Sequence, residues 1–291
     1  MCELMPQRHA SRLLEAASQI ILGKEHELQL ALSCLIARGH LLIEDMPGVG
    51  KTTLAHVLAR LVGLHFQRIQ FTSDLLPADI VGVSVFDRET SSFRFNAGPV
   101  FAQLILADEI NRATPKTQSA LLEAMEERQI TADGATLPLP DPFFVIATQN
   151  PSTQIGTFPL PESQLDRFLM RIRLGYPDRA AERALLMGEA RRELIERQQP
   201  VITPDDLIEL QHAAQALQVA DRLIDYVQNL LAATRQSNEF AGGLSPRAGL
   251  GLLASARAWA LIEGRDHVLP EDVQRMFPHV AGHRLHLAGD G

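Results

Sequence analysis

The chain has 291 residues, 46% hydrophobic and 21% charged, with a formal net charge of −8. This length accommodates two globular domains with real cores, and this composition is typical of a soluble protein. The acidic balance, with a pI near 5.7, argues against a primary nucleic-acid surface, which needs clustered Lys and Arg, but it leaves room for a local basic channel.

Cysteine usage and the absence of long apolar runs predict where the protein works. Cys2 and Cys34 are the only cysteines, so no disulfide framework is indicated, as expected in a reducing cytosol. Residues 1–12 are polar and carry His and Arg, unlike a signal peptide. No apolar run approaches the roughly 18 residues of a membrane span. We therefore predict a cytoplasmic protein with no membrane span.

The hydrophobic pattern predicts an α/β region in the first part of the chain. Residues 11–38 read as two helices, because leucines recur there at helical spacing. Short apolar strands are then predicted at 41–44, 66–71, 103–107, 143–148 and 168–173. Helical patterns separate most of these strands, which is the signature of βαβ units and a mostly parallel sheet.

Two stretches interrupt this alternation and read as insertions. The first, near 80–98, contains a possible hairpin with strands at 84–86 and 93–95. The second, at 129–142, contains Asp133-Gly134, a strong hairpin turn signal.

The second part of the chain is predicted to be helical. The segment 175–178, Gly-Tyr-Pro-Asp, marks the boundary, which divides the chain into domains 1–177 and 178–291. Helices are predicted at 178–197, 204–217, 221–236, 246–263 and 270–280.

Residues 44–53 form a glycine-rich loop between a predicted strand and a predicted helix. Glycines let backbone N–H groups approach an anion, while Lys-Thr supplies a charge for outer phosphates and a hydroxyl for magnesium. The predicted phosphate contacts are Pro47, Gly48, Val49, Gly50, Lys51, Thr52 and Thr53. Asp45 stands where the general pattern has glycine, and an ordinary Pro-Gly turn is the alternative interpretation.

An acidic pair, Asp108-Glu109, directly follows a predicted buried strand. Ligands of open α/β sheets bind at the carboxyl ends of strands. If this end lies beside the glycine-rich loop, Asp108 can hold magnesium and Glu109 can deprotonate an attacking water. The alternative is that Asp108 caps a helix.

A third strand end carries Asn150, which precedes Pro151. Its amide could bond both the water and the γ-phosphate, between the loop and the acidic pair. Asn before Pro is also a common turn residue.

Arg247 follows Ser245 and Pro246, a helix cap and a favoured first helical residue. The helix dipole disfavours a cation in the first turn. An anionic partner such as a nucleotide phosphate would explain this charge, and a solvated arginine is the alternative. His279, His283 and His286 share helical spacing but lack the acidic companion of a metal site.

Together these residues resemble the MoxR family of AAA+ ATPases over about residues 20–287. The most specific strings are EDMPGVGKT at 44–52, ADEINRA at 107–113 with KTQSALLEAMEE at 116–127, and LPESQLDRF at 160–168. The family's phosphate loop also tends to carry Glu-Asp before Pro-Gly, which accommodates Asp45.

The resemblance implies an AAA+ P-loop NTPase core, with sheet order 5-1-4-3-2, and a small all-helical lid domain. It implies insertions within the second core helix and before Asn150. It also implies a homo-oligomeric ring, expected to be a hexamer, with ATP and Mg²⁺ between subunits. Such ATPases resemble chaperones that remodel client proteins or insert metal cofactors, often with a von Willebrand factor A domain partner.

In ring ATPases an arginine at the position of Arg167 reaches the γ-phosphate of the neighbouring subunit. Arg171 and Arg173 compete for this role, and an ion pair with Asp166 is the alternative for Arg167. Other functions remain open at this point: a DNA-acting ring ATPase, or a chelatase-type subunit. A GTPase is disfavoured because no Asn-Lys-x-Asp or Thr-Lys-x-Asp segment is present.

Overall fold

A five-stranded parallel sheet organises the first part of the chain in a computed structural model that describes residues 5–89, 91–132, 134–150 and 156–289. The strands are β1 (Leu41–Glu44), β2 (Phe66–Gln70), β3 (Gly82–Asp87), β4 (Ser92–Ala97), β5 (Leu104–Asp108), β6 (Gln129–Ala132), β7 (Ala135–Pro138), β8 (Phe144–Gln149) and β9 (Met170–Ile172). The sheet order is β2-β5-β8-β1-β9. Counting the core strands alone, this confirms the predicted order 5-1-4-3-2.

The helices flank this sheet and make up the second part of the chain. They are α1 (Met5–Ile20), α2 (Glu25–Ile36), α3 (Lys51–Val62), α4 (Pro77–Val81), α5 (Pro115–Glu127), α6 (Glu162–Leu165), α7 (Arg179–Met187), α8 (Arg191–Arg197), α9 (Pro204–Ala216), α10 (Asp221–Gln236), α11 (Pro246–Ile262) and α12 (Pro270–Ala281). Short 3₁₀ turns cover Pro99–Phe101 and Ile110–Arg112. Within the described ranges, none of the helices combines the length and apolar character that a bilayer span needs.

Successive side chains of the sheet enter two different hydrophobic cores. Leu41 and Ile43 of β1 belong to one core, with residues of α1, α2 and α3, whereas Leu42 belongs to the other, with residues of α5. Because helices cover both faces, the inner strands β1, β5 and β8 are apolar at nearly every position instead of alternating with polar residues.

Both predicted hairpins are present. β3 and β4 pair between α4 and the 3₁₀ turn at Pro99–Phe101, as expected for an insertion within the second core helix. Gly82 closes its base with a φ of 103°, where a Cβ would lie 2.3 Å from the carbonyl oxygen of Asn96. β6 and β7 pair in the second insertion. Of the predicted Asp133-Gly134 turn, Asp133 lies outside the described residues.

The C-terminal part is helical as predicted, with one correction. The prediction of a single helix at 178–197 is wrong. α7 ends at Met187, the backbone of Gly188 is extended, and α8 begins at Arg191. α11 packs against α2, α9 and α12, and the same hydrophobic core includes Leu28 of α2 and Trp259 of α11. The domain boundary at residue 177 stays a prediction.

Candidate nucleotide-binding site

The glycine-rich loop joins β1 to α3 and depends on two left-handed glycines. Gly48 and Gly50 have φ values of 86° and 96°, conformations that residues with a side chain rarely adopt. Among the described residues, and apart from each glycine's immediate chain neighbours, no heavy atom lies within 4 Å of the place where a Cβ would be at either glycine. Backbone conformation, and not lack of space, therefore requires glycine here.

Asp45, the departure from the general loop pattern, anchors the loop to the end of β9. Its Oδ2 accepts hydrogen bonds from the backbone N–H groups of Leu174 (2.7 Å) and Gly175 (2.6 Å). Its Oδ1 accepts one from Met46 N–H at 2.7 Å. The carboxylate thus holds the two strand ends together, a role that glycine cannot perform.

Lys51 is folded back into the loop. Its Nζ donates to the carbonyl oxygens of Asp45 (2.5 Å) and Met46 (3.1 Å) and to Asn150 Oδ1 (3.3 Å). Burial lowers the pKa of this ammonium from its usual value, against the opposing effect of nearby carboxylates. A partly desolvated cation at the start of a helix is well suited to bind an anion.

The acidic pair lies at the end of β5, held by Thr148 of β8. The Thr148 hydroxyl donates to Asp108 Oδ1 at 2.6 Å and accepts from Glu109 N–H at 2.9 Å. Asp108 is the last residue of a buried strand, so the helix-cap alternative is wrong. Glu109 adopts a left-handed conformation (φ 57°, ψ 48°), which is uncommon for a residue with a side chain and concentrates at functional sites.

Asn150 lies between the loop and the acidic pair, where the sequence predicted it. Its Nδ2 donates to Glu109 Oε1 at 3.0 Å while its Oδ1 accepts from Lys51. Asn111 supports this strand end, because its Nδ2 donates to the Asn150 carbonyl oxygen at 3.3 Å. Pro151 lies outside the described residues.

Two adjoining cavities surround these groups. A polar cavity of about 330 Å³ is lined by Pro47, Gly48, Gly50, Lys51, Thr52, Thr53, Asp108, Glu109 and Asn150. A more apolar cavity of about 260 Å³ shares Gly48, Gly50 and Thr53 with it and includes Val49. Its other walls include Ile21, Leu28 and Pro177. The polar cavity has the character that phosphates require, and the more apolar cavity has the character that an aromatic base requires.

The donor set also fits magnesium. Mg²⁺ is usually held by one or two carboxylates together with substrate phosphates and water, and not by an all-protein cage. Asp108 and the Thr52 hydroxyl supply such a partial set in the polar cavity. Within the described ranges, no group of three or more His, Cys, Asp or Glu side chains is arranged to hold a metal.

Four residues of the site escaped the sequence reasoning. Arg68 and Gln70 of β2 contact Asp108 and Glu109, respectively. Arg112 Nε lies 3.3 Å from Glu109 Oε2, and Thr148 bonds both acidic residues. The available signal was the polar spacing of β2: Arg68 and Gln70 alternate with buried Ile69 beside the acidic strand end.

Arg167 and Arg247 lie elsewhere, together with two carboxylates. Arg247 forms a hydrogen-bonded ion pair with Glu126 and lies 3.8 Å from Asp166 Oδ2. Arg167 Nε lies 4.0 Å from Glu126 Oε2. We call these four residues the arginine cluster.

Neither arginine of this cluster lines the two cavities described above. The anionic partner expected for Arg247 exists, but it consists of carboxylates. Glu126 of α5 is the closest of these carboxylates to Arg247. The nucleotide roles of Arg167 and Arg247 stay predictions.

The two competing arginines have a different partner. Nη1 of Arg171 and Nη2 of Arg173 each lie 3.3 Å from Glu44 Oε2. Arg171 Nη2 also donates to the Gly282 carbonyl oxygen at 2.5 Å. Arg171 thus helps to join β9 to the end of α12.

Comparisons with known proteins agree with this geometry. Residues 40–170 match the ATPase family associated with various cellular activities (AAA), and residues 232–290 match an AAA lid domain. The YeaC protein of Bacillus subtilis is 46% identical over 95% of this chain and 86% of its own length. Chaperone MoxR1 of Mycobacterium tuberculosis is 43% identical over 96% of this chain and 76% of its own.

A crystal structure from Cytophaga hutchinsonii, described as that of a candidate ATPase, superimposes with a TM-score of 0.88. It is 35% identical and covers 98% of this chain and 89% of that one. The matched core, the matched lid and the extent of the MoxR1 similarity lead to one conclusion: the chain belongs to the MoxR family of AAA+ ATPases.

Proposed function

We propose that the protein binds ATP with Mg²⁺ in the two adjoining cavities and hydrolyses its β–γ phosphoanhydride bond. The observation that supports this most strongly is the hydrogen-bonded series from Lys51 through Asn150 to Glu109 along one wall of the polar cavity. In this series one amide lies between the ammonium of Lys51 and the carboxylate of Glu109, the groups that we propose bind phosphate and act as base.

Glu109 acts as the general base in this proposal, accepting a proton from the attacking water, and Asn150 orients that water. Lys51 and the N–H groups of the loop from Pro47 to Thr53 hold the phosphates. Thr52 and Asp108 hold Mg²⁺, which would neutralise charge on the β- and γ-phosphates.

The arginine cluster supports a shared site. Arg167 and Arg247 are 29% and 49% exposed and lie apart from their own chain's polar cavity. In the proposed ring, taken to be a hexamer, Arg167 reaches the γ-phosphate of the neighbouring subunit, and Arg247 contacts nucleotide as well. Exposed guanidinium groups are available for such a contact.

ATP turnover in this ring drives remodelling or maturation of a client protein, with metal-cofactor insertion as one form of maturation. A relative at 43% identity carries the name chaperone, which supports this class of activity. A von Willebrand factor A domain protein is the proposed partner, and the cytoplasm is the proposed location.

The test is Glu109→Gln, which keeps the size of the side chain and removes the base. We expect the ATP turnover number to fall on the order of 10²-fold or more while ATP binding persists. Glu127→Gln, on the exposed face of α5, is the matched control and should hydrolyse normally. Brisk turnover by Glu109→Gln would remove Glu109 from the role of base.

The same variant tests the cellular role, because an ATP-bound ring that cannot hydrolyse should retain its client. Affinity purification from the native cells should recover a von Willebrand A-type protein or a client polypeptide. Salt-sensitive recovery of DNA, together with DNA-stimulated turnover of the wild type, would instead favour a DNA-acting ring.

A further inference from the structure

Arg68 of the edge strand β2 forms an ion pair with Asp108, the carboxylate predicted to hold magnesium. Its Nη2 and Nε lie 2.6 Å and 3.1 Å from Asp108 Oδ2. The other oxygen, Oδ1, accepts from Thr148. The Asp108 side chain is 11% exposed, whereas that of Arg68 is 48% exposed. A half-exposed guanidinium therefore covers a nearly buried carboxylate from the solvent side.

Gln70 fixes this guanidinium in place. Arg68 Nη2 also donates to Gln70 Oε1 at 2.6 Å, and Gln70 Nε2 donates in turn to Glu109 Oε2 at 3.1 Å. The side chains of one strand edge thus connect Asp108 to Glu109. Contacts with both Gln70 and Asp108 therefore fix the position of the Arg68 side chain.

The position of Arg68 brings it next to the magnesium ligands. A groove of about 680 Å³ is lined by both Arg68 and Thr52, and Thr52 shares the polar cavity with Asp108. A divalent cation held by Thr52 and Asp108 would therefore lie close to a guanidinium of like charge. Their repulsion, and the competition for Asp108, must weaken metal binding.

We propose that Arg68 is a positioning residue that sets the Mg²⁺ affinity of the site: it neutralises Asp108 when metal is absent and must share or release that carboxylate when a metal–nucleotide complex binds. This inference rests on the proposed nucleotide function and adds a residue to it. Metal binding is then an exchange of one cation for another at Asp108.

The exchange predicts two effects of opposite sign when Arg68 is replaced. Without metal, Asp108 loses its counter-ion, so the protein becomes less stable. With metal and nucleotide, the competing charge is gone, so the metal binds more tightly. A purely structural role for Arg68 would instead weaken both stability and metal binding.

The experiment uses Mn²⁺ as a paramagnetic probe, titrated into full-length protein with saturating ADP and followed by electron paramagnetic resonance. For Arg68→Gln we expect Mn²⁺ to bind about fivefold more tightly than in the wild type. In the absence of metal and nucleotide its melting temperature should fall by a few degrees.

Arg192→Gln is the matched control. Arg192 lines the same groove, is 90% exposed and pairs with Glu196 instead of Asp108. The variant loses the same charge as Arg68→Gln but no contact with Asp108. Its Mn²⁺ affinity and its melting temperature should therefore both stay near the wild-type values.

The outcomes separate this inference from the proposed function. If wild-type protein with ADP binds no Mn²⁺, the nucleotide function itself is overturned. If the wild type binds and Arg68→Gln binds equally or more weakly, only the role of Arg68 is overturned. Should Arg68→Gln fail to fold, Arg68→Lys provides the test. A flexible point charge competes less well for Asp108, so Mn²⁺ must bind more tightly to this variant than to the wild type. Unchanged or weaker binding overturns the inference.

Discussion

The polar cavity and the arginine cluster differ in how much of a reactive site each contains. The cavity brings a cation, an amide and two carboxylates together at the ends of neighbouring strands. The cluster contains two guanidinium groups, one exposed and one half-buried, whose partners are Glu126 and Asp166. One chain therefore supplies most groups of the proposed phosphate site, and its clustered arginines, Arg167 and Arg247, do not line the cavities of that site.

The two regions also differ in how firmly their groups are held. As whole residues, Asp108 is 8% exposed and Asn150 is 5% exposed, and the side chain of each has hydrogen-bonding partners. Exposed ion pairs such as Arg247–Glu126 are worth little and exchange easily for other anions. The cavity is therefore preorganised, whereas Arg247 is suited to exchange its Glu126 carboxylate for another anion.

The largest expected effect tests the cavity. Lys51→Ala removes the ammonium that donates to the loop and to Asn150, so ATP binding should become undetectable by calorimetry and turnover should cease altogether. Lys116→Ala, an exposed lysine of α5, is the control and should bind normally. Retained affinity in Lys51→Ala would mean that nucleotide binds elsewhere.

The next effect tests the arginine cluster. Arg167→Ala should lower the turnover number on the order of 10³-fold, because a trans-acting arginine stabilises transition-state charge, while ATP affinity changes little. Arg247→Ala should act in the same direction. Arg173→Ala, which removes a 72% exposed arginine paired with Glu44, is the control. If Arg173→Ala alone abolishes turnover, the trans-acting arginine has been misassigned.

A smaller effect tests His40, which joins β8, the strand that ends at the polar cavity, to α5, the helix that carries Glu126. Its Nδ1 accepts from Val145 N–H of β8 at 3.0 Å, and its Nε2 faces the Met125 carbonyl oxygen of α5 at 3.4 Å. Burial, assisted by the charge of Arg128, lowers the pKa of His40 to about 3. The folded protein therefore keeps this ring neutral where the unfolded chain binds a proton.

Proton linkage gives the direction in which the free energy of unfolding changes with pH. In the unfolded state His40 binds a proton below about pH 6.5. The contribution of neutral His40 to the free energy of unfolding is therefore complete above that pH and is lost as the pH falls toward 3. From pH 6.5 to 4.5 this loss is about 2–3 kcal/mol. His40→Asn keeps an acceptor for Val145 and should flatten the pH dependence of the unfolding free energy. Exposed His212→Asn should not. An unchanged slope in His40→Asn would contradict this role.

The same comparison shows what sequence could predict. The cavity could be predicted because the carboxyl ends of parallel strands meet at one edge of the sheet, which brings Lys51, Asp108 and Asn150 together. The contacts of Arg68 and Gln70 were not, because the polar spacing of β2 shows that these side chains leave the core but not that they reach Asp108 and Glu109. The partner of Arg247 depended on how α11 packs against the rest of the chain, and Gly188 ended a helix that its flanking pattern favoured.

The most direct test of a site shared between subunits is to mix two inactive variants. Glu109→Gln subunits lack the base but keep Arg167, and Arg167→Ala subunits lack the arginine but keep Glu109. Some interfaces in mixed rings then combine an intact base with an intact arginine. We predict that the mixture hydrolyses ATP well above the sum of the two parents. Turnover equal to that sum, in rings shown to contain both variants, would contradict a site completed by the neighbouring chain.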